Sequence, residues 1–393
     1  MFLFRKLYPK IKDHLKQKQI SILTGMRRTG KTTIIKELLR EVDSDNKLYI
    51  DLERLDNREL FSQSNYDNIM RDLENSGIDI KKKIFLAFDE IQLLPKIASV
   101  LKYFYDNYDI KIIATGSSSY YLKDLFSESL AGRKKIFELF PLDFGEYLGF
   151  KNVSWKKELK WQDKKFNKTA YEALRHYYEE YIEYGGFPEV ALAESTDQKK
   201  DILFDIISSY INIDIKSLLD FRKEHDIYNL LKLLSVRVAT RLDYSKLSRS
   251  CGFSRPTVLN YLDLFEKTYL IKRVPVFTKS PEREIVKAKK LYFLDNGLAG
   301  ILSDLNSGAK FENAVFNQLY AQGDIQYYAL KNGREIDFIF NKKEAFEIKE
   351  KPILGEQSDL SLLSKKAGVK KSRLIGRYSS PNYNDYIWGG EIF

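Results

Sequence analysis

The sequence has a single cysteine, Cys251, and three histidines, His14, His176 and His225. One cysteine excludes an internal disulfide framework and any zinc site built from several cysteines. The histidines stand far apart, with no partner at metal-ligand spacing, and are assigned no role. No stretch approaches the roughly 20 apolar residues that a membrane span needs. The segment from Met1 to Lys18 mixes Phe and Leu with many lysines, where a signal peptide would have a continuous apolar core. The expectation is a cytosolic protein with no membrane partner.

What is present bounds the rest. A chain of 393 residues, 44% hydrophobic, is too long for one ordinary core and implies two or three domains. A formal net charge of +10 suits an acidic partner, nucleic acid first among them. A proteome-wide preference for lysine explains the charge equally well.

One stretch organises the chain. Gly25-Met26-Arg27-Arg28-Thr29-Gly30-Lys31-Thr32 fits the phosphate-loop pattern G-x-x-x-x-G-K-[ST] at every specified position. The apolar run Ile20–Thr24 precedes it and reads as a buried strand. Ile34, Ile35, Leu38, Leu39 and Val42 follow at helical spacing. Glycine at 25 and 30 lets the loop take backbone angles that a Cβ resists. The loop amides, from Arg27, Arg28 and Thr29 through Thr33, then meet phosphate oxygens at a helix N-terminus. Lys31 is expected to reach the β- and γ-phosphates, and the Thr32 hydroxyl to hold Mg²⁺.

Two further runs belong with this loop. Lys83–Glu90 is an apolar strand ending in two acids. Asp89 is expected to hold Mg²⁺ through water, and Glu90 to polarise the attacking water as general base. Asp109–Ser119 is a strand ending in a small polar cluster. There Thr115 or Ser117 is placed to sense the γ-phosphate, and an N-cap role explains Ser117 as well. With Lys47–Leu52, the strands alternate with helical stretches, including one over residues 3–17. That alternation predicts an α/β domain with a parallel sheet and its ligand at the carboxyl ends of the strands.

Downstream, residues 226–278 have the rhythm of a helix-turn-helix. Ser254 caps a helix with Pro256 in its first turn. Arg255, Thr257, Asn260 and Tyr261 fall on the side away from Val258, Leu259 and Leu262. Tyr269–Ile271 through Pro275–Phe277 reads as a wing. Such a unit contacts DNA or packs against a protein, and only Arg255 offers a strong base-reading group. Near the C-terminus, strand-like runs at Gln326–Leu330, Glu335–Phe340 and Ala345–Lys349 carry Asp337, Glu347 and Lys349. Alternation sends Glu347 and Lys349 to one face. Asp337 and Glu347 are then placed to share a divalent metal, with Lys349 beside a water and Glu312 contributed by the preceding helix. A hairpin face carrying solvated charges fits the same pattern.

The phosphate loop with its Arg27-Arg28 pair, Phe88-Asp89-Glu90, Thr115-Gly116-Ser117-Ser118, Leu130-Ala131-Gly132-Arg133, Pro141-Leu142 and Gly185-Gly186-Phe187-Pro188 together resemble a prokaryotic family of AAA+ ATPases close to the archaeal ATPases. The resemblance runs over almost the whole chain. It implies an ATP-dependent core at 1–150, a helical connector at 151–222, a winged helix at 223–290 and a restriction-endonuclease-like domain at 291–393. ATP and Mg²⁺ are the implied cofactors, with DNA or a protein as partner. Arg133 then gains an expected role beside the transferring phosphoryl group, in cis or from a neighbouring subunit; a surface salt bridge is its other reading. An ATP-regulated, metal-dependent nuclease with its site at Glu312, Asp337, Glu347 and Lys349 is one alternative, and a nucleic-acid-binding regulator that uses ATP as a switch is another.

Overall fold

The structure is a computed structural model that describes residues 2–117, 130–155, 160–216 and 224–393. The chain divides into two compact units, Met1–Phe140 with Lys267–Tyr269, and Pro141–Glu266 with Leu270–Phe393.

The first unit is built on five strands, β1 (Ile20–Thr24), β2 (Lys47–Asp51), β3 (Ile84–Asp89), β4 (Ile110–Gly116) and β5 (Lys134–Glu138). They form one sheet in the order β2-β3-β4-β1-β5, and every pair is parallel. β1 and β4 are buried along their whole length, as expected of strands covered on both faces. Alternation divides their side chains between two cores. Ile22, Leu86, Phe88 and Ile112 pack on one face with the helices Tyr66–Asn75 and Ile97–Asn107. Leu23, Ala87 and Ile113 pack on the other with Ile34, Ile35 and Leu38 of the helix Lys31–Glu41. Lys111 is fully buried in β4. Its ammonium is accommodated because it donates to the carbonyls of His14 and Gln17 at 2.9 and 3.0 Å and to that of Gln19. The helix expected over 3–17 is shorter, Tyr8–His14, because Pro9 sits in its first turn and fixes the start there.

The second unit holds a mixed five-stranded sheet. Its strands are β8 (Ile325–Ala329), β9 (Glu335–Phe340), β10 (Glu344–Lys349), β11 (Lys371–Gly376) and β12 (Ile387–Trp388), after β6 (Ile271–Val274) and β7 (Lys290–Phe293). β8, β9 and β10 pair antiparallel, and β10, β11 and β12 pair parallel. The helix Leu354–Ala367 makes the crossover from β10 to β11 and buries Leu360 and Leu363 in the core with Ile336, Ile339 and Leu374. The helices Tyr244–Cys251 and Arg255–Lys267 flank a left-handed Gly252. The strand that pairs with β6 is β7, not Pro275–Phe277. The run Leu291-Tyr292-Phe293 reads from sequence as the start of the next domain, and its pairing with β6 is long-range.

Gly185 owes its identity to Asp295, and Gly186 to the Leu142 backbone, whose carbonyl oxygen would lie 2.2 Å from an added Cβ. A Cβ on Gly185 would lie 2.2 Å from Asp295 Oδ1. The Gly186 N–H donates to Asp295 Oδ2 at 2.7 Å, and the same carboxylate caps the helix Asn296–Leu302 through the Leu298 N–H. Burial raises the Asp295 carboxyl from 3.8 to about 6, against the pull of the backbone N–H groups of Gly186, Leu298 and Gly297. From about pH 4 to about pH 6, the folded chain therefore holds a proton that the unfolded chain has released. Asp295 supports folding below that window, and its contribution falls as pH rises through it, by about 3 kcal/mol at 1.36 kcal/mol per unit. Asp295→Asn keeps an acceptor and removes the ionisation. Its Tm relative to wild type is expected to climb by about 5–10 °C between about pH 4 and about pH 7. A difference that stays flat across scanning calorimetry at both pH values would refute the assignment.

Candidate nucleotide site and a carboxylate cluster

The loop after β1 takes the conformations its glycines permit. Gly25 has φ +155° and Gly30 φ +95°. A Cβ at Gly25 would stand 2.1 Å from the Leu139 carbonyl oxygen. Arg28 is left-handed as well, at φ 62°. Lys31 is buried, with its ammonium donating to the Gly25 and Met26 carbonyls at 2.9 Å each. The Thr29 hydroxyl donates to the Met26 carbonyl at 2.8 Å. Arg5 braces the loop from outside it, with Nη1 on the Thr29 carbonyl and Nη2 on the Phe140 carbonyl, both at 2.7 Å. No side chain caps the helix Lys31–Glu41 and its first turn has no acid, so its leading N–H groups suit an anion. Thr32 and Thr33 stand in that first turn.

The acidic side of the site comes from neighbouring strands. β4 lies between β1 and β3, so the ends of all three adjoin. The Thr115 hydroxyl donates to Asp89 Oδ1 and accepts the Glu90 N–H at 3.0 Å. The Tyr49 hydroxyl donates to Asp89 Oδ2 at 2.7 Å. Burial, then the bond to Asp89, raises the Tyr49 phenol well above its usual value, so it remains a donor. Glu90 is left-handed at φ 55°. Its Oε2 accepts from Gln92 Nε2, which also donates to Ser117 Oγ at 2.9 Å. Sequence reasoning missed Arg5, Tyr49 and Gln92. The N-cap reading of Ser117 depends on residues 118–129, which lie outside the described residues.

Arg133 stands elsewhere. Its carbonyl accepts the Ile20 N–H, at the end of β1 remote from the phosphate loop. Four residue steps separate Ile20 from Thr24, about 13 Å at a parallel strand's rise. The guanidinium pairs with Asp106 at 2.8 Å. The expected contact in cis with the phosphoryl group is therefore corrected: Arg133 makes a salt bridge at the opposite end of the strands from the phosphate loop.

In the second unit, Arg255 and Asn260 are exposed, and Thr257 and Tyr261 are half-buried. Two residues of the expected nuclease site, Glu312 and Asp337, gather around a lysine that the sequence reading passed over, and Glu347 and Lys349 pair on the neighbouring strand. Lys290, 1% exposed, places its ammonium 3.0 Å from Glu335, 3.1 Å from Asp337 and 3.4 Å from Glu312. Burial opposes that charge, and Asp337, Glu312 and Glu335 outweigh it and raise the lysine above its ordinary value. Lys349 pairs with Glu347 at 3.2 Å. Burial first, then the charge of Asp337, raises the carboxyls of Glu312 and Glu347. Among the described residues, no group of three or more His, Cys, Asp and Glu is arranged to hold a metal ion. None of the described helices is long and apolar enough to cross a membrane.

Residues 17–148 match the model of a family described as AAA domain, and residues 175–309 match a domain of unknown function, DUF8612. The chain is 29% identical over 344 residues to the uncharacterized protein MJ1544 of Methanocaldococcus jannaschii, covering 84% of this chain and 74% of that one. It is 27% identical over 379 residues to an uncharacterized protein of Haemophilus influenzae, covering 91% and 89%. Among solved structures, it is similar to the Walker-type ATPase PABY2304 of Pyrococcus abyssi, with 17% identity, a TM-score of 0.47, and coverage of 77% and 96%. With the family match laid over the phosphate loop and the paired acids, residues 17–148 are a AAA-type P-loop ATPase domain, and the chain is an ATPase.

Proposed function

We propose that the chain is a Mg²⁺-dependent ATPase whose nucleotide state governs engagement of nucleic acid by its second unit. The observation that carries this reading is the convergence, at adjoining strand ends, of the phosphate loop, Asp89, Glu90 and Thr115. The residues fit the ion that accompanies ATP. Mg²⁺ in such sites takes one or two protein oxygens and fills the rest of its shell with phosphate and water, so Thr32 and Asp89 suffice without a carboxylate cluster. Bound there, the ion neutralises phosphate charge. Lys31 exchanges two loop carbonyls for phosphate oxygens. Glu90, held by Gln92, orients the attacking water and takes its proton. Thr115, whose hydroxyl donates to the Asp89 carboxylate and accepts the Glu90 main-chain N–H, stands beside the γ-phosphate.

Binding ATP and ADP with different contacts biases the arrangement of the units. The exposed Arg255 at the start of its helix and the net charge of +10 support DNA as the partner. The antiparallel pairing of β9 with β10, bearing Asp337 and Glu347-x-Lys349, supports a restriction-endonuclease-like domain. Lys290 within the cluster favours binding over cleavage. In the test, phosphate release stops on chelation with EDTA, and fluorescence anisotropy follows a labelled duplex. Affinity is expected to fall at least tenfold between about 50 and about 200 mM salt, to differ between ATP and ADP, and to weaken about tenfold in Arg255→Glu. Turnover in EDTA would sink the metal assignment. Binding indifferent to salt and to Arg255 would sink the partner.

A further inference from the structure

Lys290 lies on β7, paired antiparallel with β6, in the register Val274↔Lys290. Its side chain is 2% exposed and ends among three carboxylates from two other elements, Glu312 on the helix Ser307–Tyr320 and Glu335 and Asp337 on β9. An ammonium has three N–H donors, and three carboxylate oxygens lie within 3.4 Å of it. The neighbouring acceptors are engaged as well. Glu312 Oε1 takes the Tyr292 hydroxyl at 2.6 Å, and Asp337 Oδ2 takes the Ile348 N–H at 2.9 Å. Glu347 Oε2 is the one carboxylate oxygen of the set that is buried without a hydrogen-bond partner. A divalent cation needs about six oxygens at roughly 2.0–2.6 Å, and it would meet a fixed positive charge at the centre of the group.

We propose that Lys290 is the resident cation of the Glu312, Glu335 and Asp337 cluster, standing where a nuclease fold would hold its metal, so that this domain works without a divalent ion. The lysine replaces the metal's charge but not its chemistry. An ammonium neutralises carboxylates and ties β7 to β9. It has no open coordination position at which a water is made nucleophilic. The domain therefore keeps the shape of a cleaving fold and lacks the means to cleave. The expectation of a metal here rests on the restriction-endonuclease-like reading above; the lysine's placement does not.

Mn²⁺ is the probe, titrated into nucleotide-free full-length protein and followed by electron paramagnetic resonance. Wild type and Asp337→Asn are expected to take up Mn²⁺ equally, with no site that depends on Asp337. Lys290→Met is expected to gain one Mn²⁺ per chain, lost again in Lys290→Met with Asp337→Asn. A wild-type site that disappears in Asp337→Asn would overturn the proposal while leaving the nuclease-like fold standing. A folded Lys290→Met chain that gains no ion would overturn it too. Should Lys290→Met fail to fold, the comparison of wild type with Asp337→Asn decides alone.

Discussion

Lys31→Ala is expected to lower ATP turnover at least 100-fold, with nucleotide affinity falling alongside. The ammonium is anchored inside the loop, between the Gly25 and Met26 carbonyls. On the proposed reading it would turn from those carbonyls to phosphate, and a charge held in a water-poor site acts far more strongly than in bulk. A factor of 100 corresponds to about 2.7 kcal/mol of transition-state stabilisation, within the range for one preorganised donor. Alanine frees two carbonyls that face the loop, so stability is measured alongside phosphate release. Thermal unfolding like that of wild type, with turnover lost, assigns the effect to chemistry. Turnover within about threefold of wild type would remove Lys31 from the mechanism.

The parts of this site that could be read from sequence are those whose chemistry is local. The phosphate loop is one continuous segment between a strand and a helix, and its glycines and lysine act within eight residues. Strands β1, β3 and β4 are buried on both faces, so their apolar runs announce them without alternation. What escaped reading depends on distance along the chain. Arg5 meets Thr29 across 24 residues and Phe140 across 135. Tyr49 meets Asp89 across 40, and Lys290 meets Asp337 across 47. Lys290 is further disguised by Lys287 and Lys289, with which it reads as a solvated basic run. Arg133 shows the converse. Its motif left a phosphoryl contact and a salt bridge both open, and strand direction with the Asp106 pair favours the salt bridge within this chain. A residue type read without its strand polarity carries no position.

Glu90→Gln is expected to separate binding from hydrolysis. The amide keeps the size of the carboxylate and can still contact Gln92, whose Nε2 bridges Glu90 and Ser117. The Glu90 backbone bond to Thr115 is untouched, because it uses the main-chain N–H. ATP affinity should therefore stay within about threefold of wild type. Hydrolysis should not, because an amide cannot take a proton from water. General-base catalysis contributes about 10²–10⁴-fold, so turnover is expected to fall by at least about 100-fold. The same chain would then hold ATP longer than wild type, so that duplex affinity can be measured in the ATP-bound state. Asp89→Asn supplies the contrast. It alters the group that would face Mg²⁺ and accepts the Tyr49 and Thr115 hydroxyls, so it should weaken the response to Mg²⁺ as well as turnover. If Glu90→Gln lost affinity as steeply as turnover, Glu90 would be holding the nucleotide. If it lost neither, the base would lie elsewhere, and the left-handed turn that presents Glu90 would serve only the path of the chain.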